Sequence, residues 1–406
     1  MAERRYDVVG IGNAIVDIIA RADDAFLSKH DLAKGFMRLI DADEASRLYA
    51  AMGPAVERSG GSAANTIAGL ASFGAHCGFI GRVALDQFGG IFHHDIRSLG
   101  VAFDTPPAVD GAPTARCLIL VTPDGERTMN TFLGASVDFT PADLDPGLIQ
   151  NAKIVYLEGY LFDREPAKAA FREASKLAKS AGAKVALSLS DAFCVDRHRA
   201  DFQAFIRDEA DIVFANETEI TALYVVNSFE EAADRALADC EIAVLTRSAS
   251  GSFIVAGGET IPIEPEKVKA VVDVTGAGDL YAAGFLYGYT QGLPLAACGA
   301  LGSLAAADRA LADCEIAVLT RSAAGSFIVA GGETIPIEPE KVKAVVDVTG
   351  AGDLYAAGFL YGLTQGLALE TCGRLGSLAA AEIIGHIGAR PEVSLRQLAE
   401  ARGLLG

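Results

Sequence analysis

The heptapeptide Asp273-Val-Thr-Gly-Ala-Gly-Asp279 recurs, residue for residue, as Asp347–Asp353. In each copy a glycine-rich turn opens into an apolar stretch, Leu280–Gly288 or Leu354–Gly362, that reads as a helix. The N–H groups of such a turn, with the helix N-terminus behind them, form a site for a phosphate or a developing oxyanion. The Asp that closes the turn sits where a carboxylate takes a proton from a substrate hydroxyl. The plainer alternative is a turn whose Asp caps the helix and touches no ligand. Taken alone the heptapeptide favours the cap, because short glycine motifs recur by chance.

The heptapeptide is doubled because a longer segment is doubled. Residues 232–305 and 306–379 align without a gap and differ only at Ser250/Ala324, Tyr289/Leu363, Pro294/Ala368, Ala296/Glu370, Ala297/Thr371 and Ala300/Arg374. A period of 74 residues occurring twice is not a solenoid, which needs several short repeats. It is a tandem duplication, and both of its boundaries fall inside helical patterns, so the unit is not a whole domain. The 406-residue chain less one copy has 332 residues, an ordinary size for one α/β enzyme.

Composition bounds the function. A net charge of −19 argues against nucleic acid, which needs a basic face. Leu280–Ala307 carries no charge, but Tyr-Thr-Gln-Gly-Leu-Pro (289–294) breaks it and the near-copy holds Glu370 and Arg374, so buried helices are expected rather than a membrane span. The charged start Met1–Tyr6 does not resemble a secretion signal, and a soluble, cytoplasmic protein is expected. Seven cysteines without metal-ligand or redox spacing read as reduced, mostly buried thiols.

Upstream, Tyr6–Val9 and Gly-Ile-Gly-Asn-Ala-Ile-Val-Asp-Ile (10–18) read as strand, turn and strand, with Asn13 and Asp17 the polar residues. These are turn residues or groups for a polyhydroxyl ligand. Ser59-Gly-Gly-Ser-Ala-Ala-Asn65 opens an Ala/Gly-rich helix to about Phe73, whose small residues admit either a ligand or another helix. Arg116–Val121 and Arg127–Phe132 around Thr122-Pro-Asp-Gly-Glu read as a β-hairpin, part of a small β-sheet covering a site. From Ile154 strands and helices alternate, and successive strands end in Glu158, Asp191 and Asn216/Glu219. Polar residues at the C-terminal ends of buried strands are where a doubly wound sheet binds ligands. Each is a cap when taken singly; as a set they favour a site.

Together these residues resemble the PfkB/ribokinase-type carbohydrate and nucleoside kinases, from about residue 6 to 395 with one copy counted. The signatures are Gly-Gly-Ser-Ala-Ala-Asn-Thr (60–66) and Asp-Val-Thr-Gly-Ala-Gly-Asp, in that order. Within the family, Gly-Ile-Gly-Asn-Ala-Ile-Val-Asp (10–17), Glu158-Gly-Tyr-Leu-Phe162 and Leu-Ser-Asp-Ala-Phe (189–193) look most like bacterial adenosine kinases. The resemblance implies an α/β fold: a doubly wound central sheet with helices on both faces, plus a small β-sheet lid built from about 10–20, 34–41 and 113–133. It implies a single kinase domain over 1–406, ATP and Mg²⁺ as co-substrate and cofactor, and a place in purine salvage. The partner is a small-molecule nucleoside or sugar, and the chain is a monomer or homodimer.

Carried over position by position, Asp17, Gly60, Gly61 and Asn65 hold the ribose hydroxyls, with Asn13 beside them, Phe162 stacking on a base and Glu158 also at the substrate site. Asn216 belongs to the nucleotide site, and Glu219 organises Mg²⁺ through water. Thr246, Ser248 and Gly251, or Thr320, Ser322 and Gly325, line the nucleotide site. Gly276, Ala277 and Gly278, or Gly350, Ala351 and Gly352, form the anion hole, with Asp279 or Asp353 as base. One anion hole needs one copy. Use of the first copy is expected to split the helix Thr371–Gly385, whereas use of the second costs only a turn near Glu231. Asp353 is therefore the expected base, with about 232–305 as the surplus copy. The alternatives are a sugar kinase for ribose or fructose, and a nucleotide-binding protein whose catalysis the duplication has impaired.

Overall fold

A computed structural model describes residues 5–124, 126–265, 276–307, 316–320, 325–330, 333–342, 345–346, 351–386 and 391–405. The chain divides into two compact units, Met1–Ala312 and Asp313–Gly406.

The strands of the first unit are, in chain order, β1 (Tyr6–Ile11), β2 (Ile15–Arg21), β3 (Met37–Leu39), β4 (Ala55–Gly60), β5 (Cys77–Ile80), β6 (Ala115–Val121), β7 (Arg127–Phe132), β8 (Ala152–Glu158), β9 (Lys184–Ser188), β10 (Ile212–Asn216), β11 (Ile242–Thr246), β12 (Ser252–Ala256) and β13 (Glu259–Ile263). Eight of them form one sheet in the order β13-β12-β11-β10-β9-β8-β1-β5. Neighbours from β5 to β11 run parallel, and β12 and β13 close one edge antiparallel. The inner strands are near-continuous apolar runs because both faces of a parallel sheet are covered. Alternate residues serve opposite faces: Val8, Ile154 and Tyr156 join one core cluster, while Val9, Val155 and Leu157 join the other. The helices Ser62–Ser72 and Ala277–Thr290 cover the first face through Ile67, Leu70, Ala282 and Phe285. Glu165–Ser180 and Ala192–Asp208 cover the second through Phe171 and Phe202.

The expected lid is a five-stranded sheet in the order β3-β7-β6-β2-β4. Its hairpin pairs Arg116 with Phe132 and Val121 with Arg127. Strand β4 (Ala55-Val-Glu-Arg-Ser-Gly60) escaped the sequence reading because it lacks an apolar alternation. Pairing with β2 over Ile15–Ala20, rather than local propensity, makes it a strand.

The expectation about the duplication is corrected here. The first copy, not the second, supplies β11–β13, with β11 parallel to β10 from Ile212↔Ile242 to Asn216↔Thr246. The helix Phe229–Asp239 runs unbroken across the repeat boundary and delivers the chain directly to the open edge of β10. The feared splitting does not occur: Leu295–Ala307 carries the last residues of the first copy, and Leu369–Ile383 stays whole in the other unit.

The second unit holds a three-stranded antiparallel sheet, β14 (Ile316–Thr320), β15 (Ser326–Ala330) and β16 (Glu333–Ile337), in that order. Among the described residues the helices Ala351–Thr364, Leu369–Ile383 and Leu395–Ala401 follow. The last packs Ala399 with Leu375 and Leu378 of the one before.

Candidate active site

Strand order reverses between β1 and β8, since the chain builds outward in one direction from β1 to β5 and in the other from β8 to β13. Ligands of open α/β sheets bind beyond the C-terminal ends of the strands at such a point. Asn13 follows β1 and Glu158 ends β8, and they meet across this gap: Asn13 Nδ2 donates to Glu158 Oε1 at 2.6 Å. The other oxygen, Glu158 Oε2, accepts from the backbone N–H of Ala63 at 2.8 Å, in the first turn of Ser62–Ser72. Glu158 is 1% exposed. Burial pushes its carboxyl up to about 7, against the opposing pull of those N–H donors. Both oxygens are taken by the protein, so Glu158 fixes Asn13 and the start of the helix. Asn13 Oδ1 is buried and has no hydrogen-bond partner among the described residues.

The glycine pair entering that helix is dictated by contact. Gly61 has φ +102°, and a Cβ there would lie 2.2 Å from the carbonyl oxygen of Asn13. A Cβ on Gly60 would lie 2.4 Å from the carboxylate of Asp17, which β2 aims at this turn. Asp17 is raised to about 7, first by burial and then by the charge of Asp279, with Arg127 pulling the other way.

Asp279 lies in the first turn of Ala277–Thr290. Its Oδ1 accepts from Ser62 Oγ at 2.7 Å and its Oδ2 from Asn65 Nδ2 at 3.1 Å. The two glycine motifs, more than 200 residues apart in sequence, therefore meet at one carboxylate. Gly276 precedes the helix with φ +75° in the left-handed region, and the space around the α-carbon of Gly278 is open. The first-turn N–H groups have no intrahelical acceptors, and a helix N-terminus of this kind favours negative charge.

Asn216 and Glu219 form a reciprocal capping box at the helix Glu217–Tyr224. Glu219 accepts from Asn216 N at 2.9 Å and from Asn216 Nδ2 at 2.6 Å, and Asn216 Oδ1 accepts from Glu219 N at 2.9 Å. Burial raises Glu219 to about 7, with Asp191 and Asp279 adding to the shift. Thr246 ends β11 opposite Asn216, and Ser248 and Gly251 follow with positive φ. Asp191 is a helix cap, its Oδ1 accepting from Cys194 N at 2.6 Å. Among the described residues no group of three or more His, Cys, Asp or Glu is arranged to hold a metal ion.

Phe162 requires a correction. It is 2% exposed and stacks on Phe202 at 4.1 Å between centroids, so its face is already used in the core. Phe193 in Leu-Ser-Asp-Ala-Phe is instead 77% exposed, one residue into the helix after β9. Ser62 was also missed as a site residue; its place between Gly61 and Asn65 was the available signal. In the second copy, Ser322 and Gly350 lie outside the described residues, as does the side chain of Asp353; Gly352 falls within the helix Ala351–Thr364. Thr320 ends β14, Gly325 precedes β15 with φ +82°, and Ala351 starts a helix.

The model for "pfkB family carbohydrate kinase" matches residues 37–311 and again 307–395. The chain belongs to the PfkB family of carbohydrate kinases. It is similar to the crystal structure of adenosine kinase from Sinorhizobium meliloti, with 52% identity and TM-score 0.69 over 74% of this chain and 93% of that one. It is also similar to a probable sugar kinase protein from Rhizobium etli, at 40% identity and TM-score 0.65, covering 99% of this chain and all of that one. Adenosine kinase of Saccharomyces cerevisiae is 28% identical over 307 residues, covering 70% of this chain and 89% of the yeast protein. The PfkB fold and a phosphotransferase activity follow from this membership. No helix among the described residues is long and apolar enough to cross a membrane.

Proposed function

We propose that the chain transfers the γ-phosphoryl group of ATP to the hydroxymethyl group of a ribose-bearing nucleoside, adenosine at its 5′-hydroxyl in the first instance. The observation that carries this reading is the Asp279 carboxylate, held by Ser62 and Asn65 at the N-terminus of a helix. Phosphoryl transfer asks a protein for positioning and charge stabilisation above all. Asp279 accepts the proton of the attacking hydroxyl, and the N–H groups of Gly276–Gly278 face the transferring phosphoryl oxygens. Asp17, Gly60, Gly61 and Asn65 hold the ribose hydroxyls. The unpaired Asn13 Oδ1 accepts from a substrate O–H or N–H, since a buried acceptor without a donor is costly.

Thr246, Ser248, Gly251 and Asn216 line the nucleotide side. Mg²⁺ neutralises phosphate oxygens when it is bound, and Glu219 reaches it through water, in keeping with an ion that retains much of its hydration. Adenosine is favoured by the 52% identity to the Sinorhizobium protein. A sugar acceptor is the second reading, favoured by the burial of Phe162, which removes a stacking partner for a base. An acceptor panel with labelled ATP tests both: adenosine should give labelled AMP, and label on ribose or fructose alone would select the second. The Asp279→Asn/Asp353→Asn double variant should transfer about 10²–10⁴ times more slowly to any acceptor; undiminished transfer would remove the carboxylate mechanism.

A further inference from the structure

We infer that the helix Gln87–Ser98 is a strut that sets the phosphoryl-acceptor side of the site, with Asp86 and Asp95 as its two positioning residues. Each carboxylate acts through a strand that flanks Asp17 rather than on the substrate itself. The inference rests on the reading of Asp17, Gly60 and Gly61 as the groups that hold the substrate hydroxyls.

Asp17 projects from β2, the strand between β4 and β6 in the five-stranded sheet. At the start of β2, Ile15 pairs with Gly60 on one side and with Ala115 on the other. The residues next to those partners, Ser59 and Thr114, are both tied to carboxylates of the helix Gln87–Ser98, in its last turn and at its N-cap. Asp95 Oδ2 accepts from Ser59 N at 2.7 Å and from Ser59 Oγ at 2.6 Å. Asp86, the N-cap residue, accepts from Thr114 N through Oδ2 at 2.8 Å and from Thr114 Oγ1 through Oδ1 at 2.7 Å. Its Oδ1 also accepts from Gly89 N at 2.8 Å. Hydrogen bonds to a carboxylate are shorter and stronger than those between neutral groups.

The body of the helix fixes these carboxylates to the large sheet. Phe92 packs on Phe79 of β5 at 5.8 Å between centroids and on Phe103 at 5.2 Å. Phe88, Phe92 and Ile96 are buried in the same core cluster as Val16 and Ile18 of β2. Gly89 permits the close approach at the Asp86 end: a Cβ there would lie 2.0 Å from the carbonyl oxygen of Ala84 and 3.1 Å from Thr114 Oγ1. A helix rises about 13 Å between positions 86 and 95, comparable to the two strand spacings, about 10 Å, that separate β4 from β6. One rigid element therefore spans both clamps. Loosening either shifts its strand against β2, and with it the turn that meets the Asp17 carboxylate. A misplacement of about 1 Å can cost on the order of 10²-fold in rate. The nucleotide side is built on β10 and β11, toward the opposite edge of the large sheet, and does not depend on the strut.

The test compares the two substrates of the full-length chain. Asp95→Ala should raise the KM of the acceptor substrate about tenfold while the KM of ATP stays within about twofold. Asp95→Asn should restore most of the loss, because both bonds from Ser59 fall on one oxygen, which an amide keeps. Asp86→Asn should have the opposite outcome. Asn caps a helix as well as Asp does, so the oxygen on Gly89 N is kept while the amide nitrogen meets Thr114 N and breaks the clamp. Equal rises in both KM values, or an unchanged acceptor KM in Asp95→Ala and Asp86→Asn, overturns the proposal. If Asp95→Ala does not fold, Ser59→Ala removes one of the two bonds and should raise the acceptor KM about threefold; no rise overturns it. Hydrogen exchange separates this outcome from failure of the acceptor reading. If the unsubstituted chain transfers to no acceptor, that reading fails, and the amides of Ala55–Gly60 alone judge the strut. They should exchange about tenfold faster in Asp95→Ala, with those of β10 unchanged; unchanged exchange in Ala55–Gly60 overturns the strut.

Discussion

The first and second copies are nearly one sequence in two settings, and they share what is local while differing in what is not. Both form a three-stranded antiparallel sheet in the same register. Both tie the first of two helices back by one hydroxyl pair, Ser252 to Tyr281 at 2.6 Å and Ser326 to Tyr355 at 2.5 Å. Gly299 and Gly373 each admit the same pair of isoleucines at matching distances. The divergence lies on the outer face of the first helix. Leu286 is 0% exposed and Leu360 54%; Ala282 and Ala283 are buried, Ala356 and Ala357 exposed. Side-chain identity sets what packs within about 74 residues. The body of the kinase, through the Ser62–Ser72 helix and β10, sets whether the apolar face is covered.

The comparison is most sharply broken at the two aspartates. Asp279→Asn should lower kcat in dilute protein by about 10²–10⁴, the usual contribution of a positioned general base, while Asp353→Asn should stay within about twofold. Equal losses in steady-state assays would mean that the copies share the work. Next come the matched leucines. Leu286→Ala should destabilise by about 2–5 kcal/mol in denaturant unfolding, as a large-to-small change in a packed core does. Leu360→Ala, at an exposed position, should stay within about 0.5 kcal/mol.

A pH series sharpens the contrast further, because the carboxyls raised to about 7 belong to the unit that holds the first copy: Asp17, Glu158 and Glu219. Their folded values lie above the ordinary 3.8 and 4.5, so the folded state holds more protons between about 4 and 7. The stability they contribute is complete below that window and is lost as pH rises through about 7. The ligand-free chain should lose about 1–3 kcal/mol between pH 5 and 8, and Glu158→Gln should flatten the profile followed by calorimetry. A flat wild-type profile would contradict the buried, coupled site. The smallest expected effect is at the stacked ring: Tyr287→Leu should cost about 0.5–1.5 kcal/mol beyond lost area, and Tyr361→Leu, 40% exposed in its copy, close to none.

Phe162 and Glu158 show why parts of the site were not legible in the sequence. Both sit at the end of β8 in one short motif, and nothing along the chain says which points to ligand and which to core. The ring turned inward because Phe202, forty residues away, offered a stacking face. The carboxylate was committed to Asn13 and the N–H of Ala63, partners supplied by two other segments. The Asn216–Glu219 helix start was legible because its capping box spans only four residues.

The sequence by itself determined the alternation of strands and helices, the lid hairpin, the two glycine motifs and the duplication. Each of these is carried by periodicity or by residues close along the chain. Only the tertiary structure decided that Asp279 meets Ser62 and Asn65, that β4 joins the lid, and that the first copy fills the sheet. The two copies have the same local preferences, so sequence could not choose between them. The helix Phe229–Asp239 brings the first copy straight to the open edge of β10, and a strand paired and covered there no longer leaves its backbone and apolar face to water.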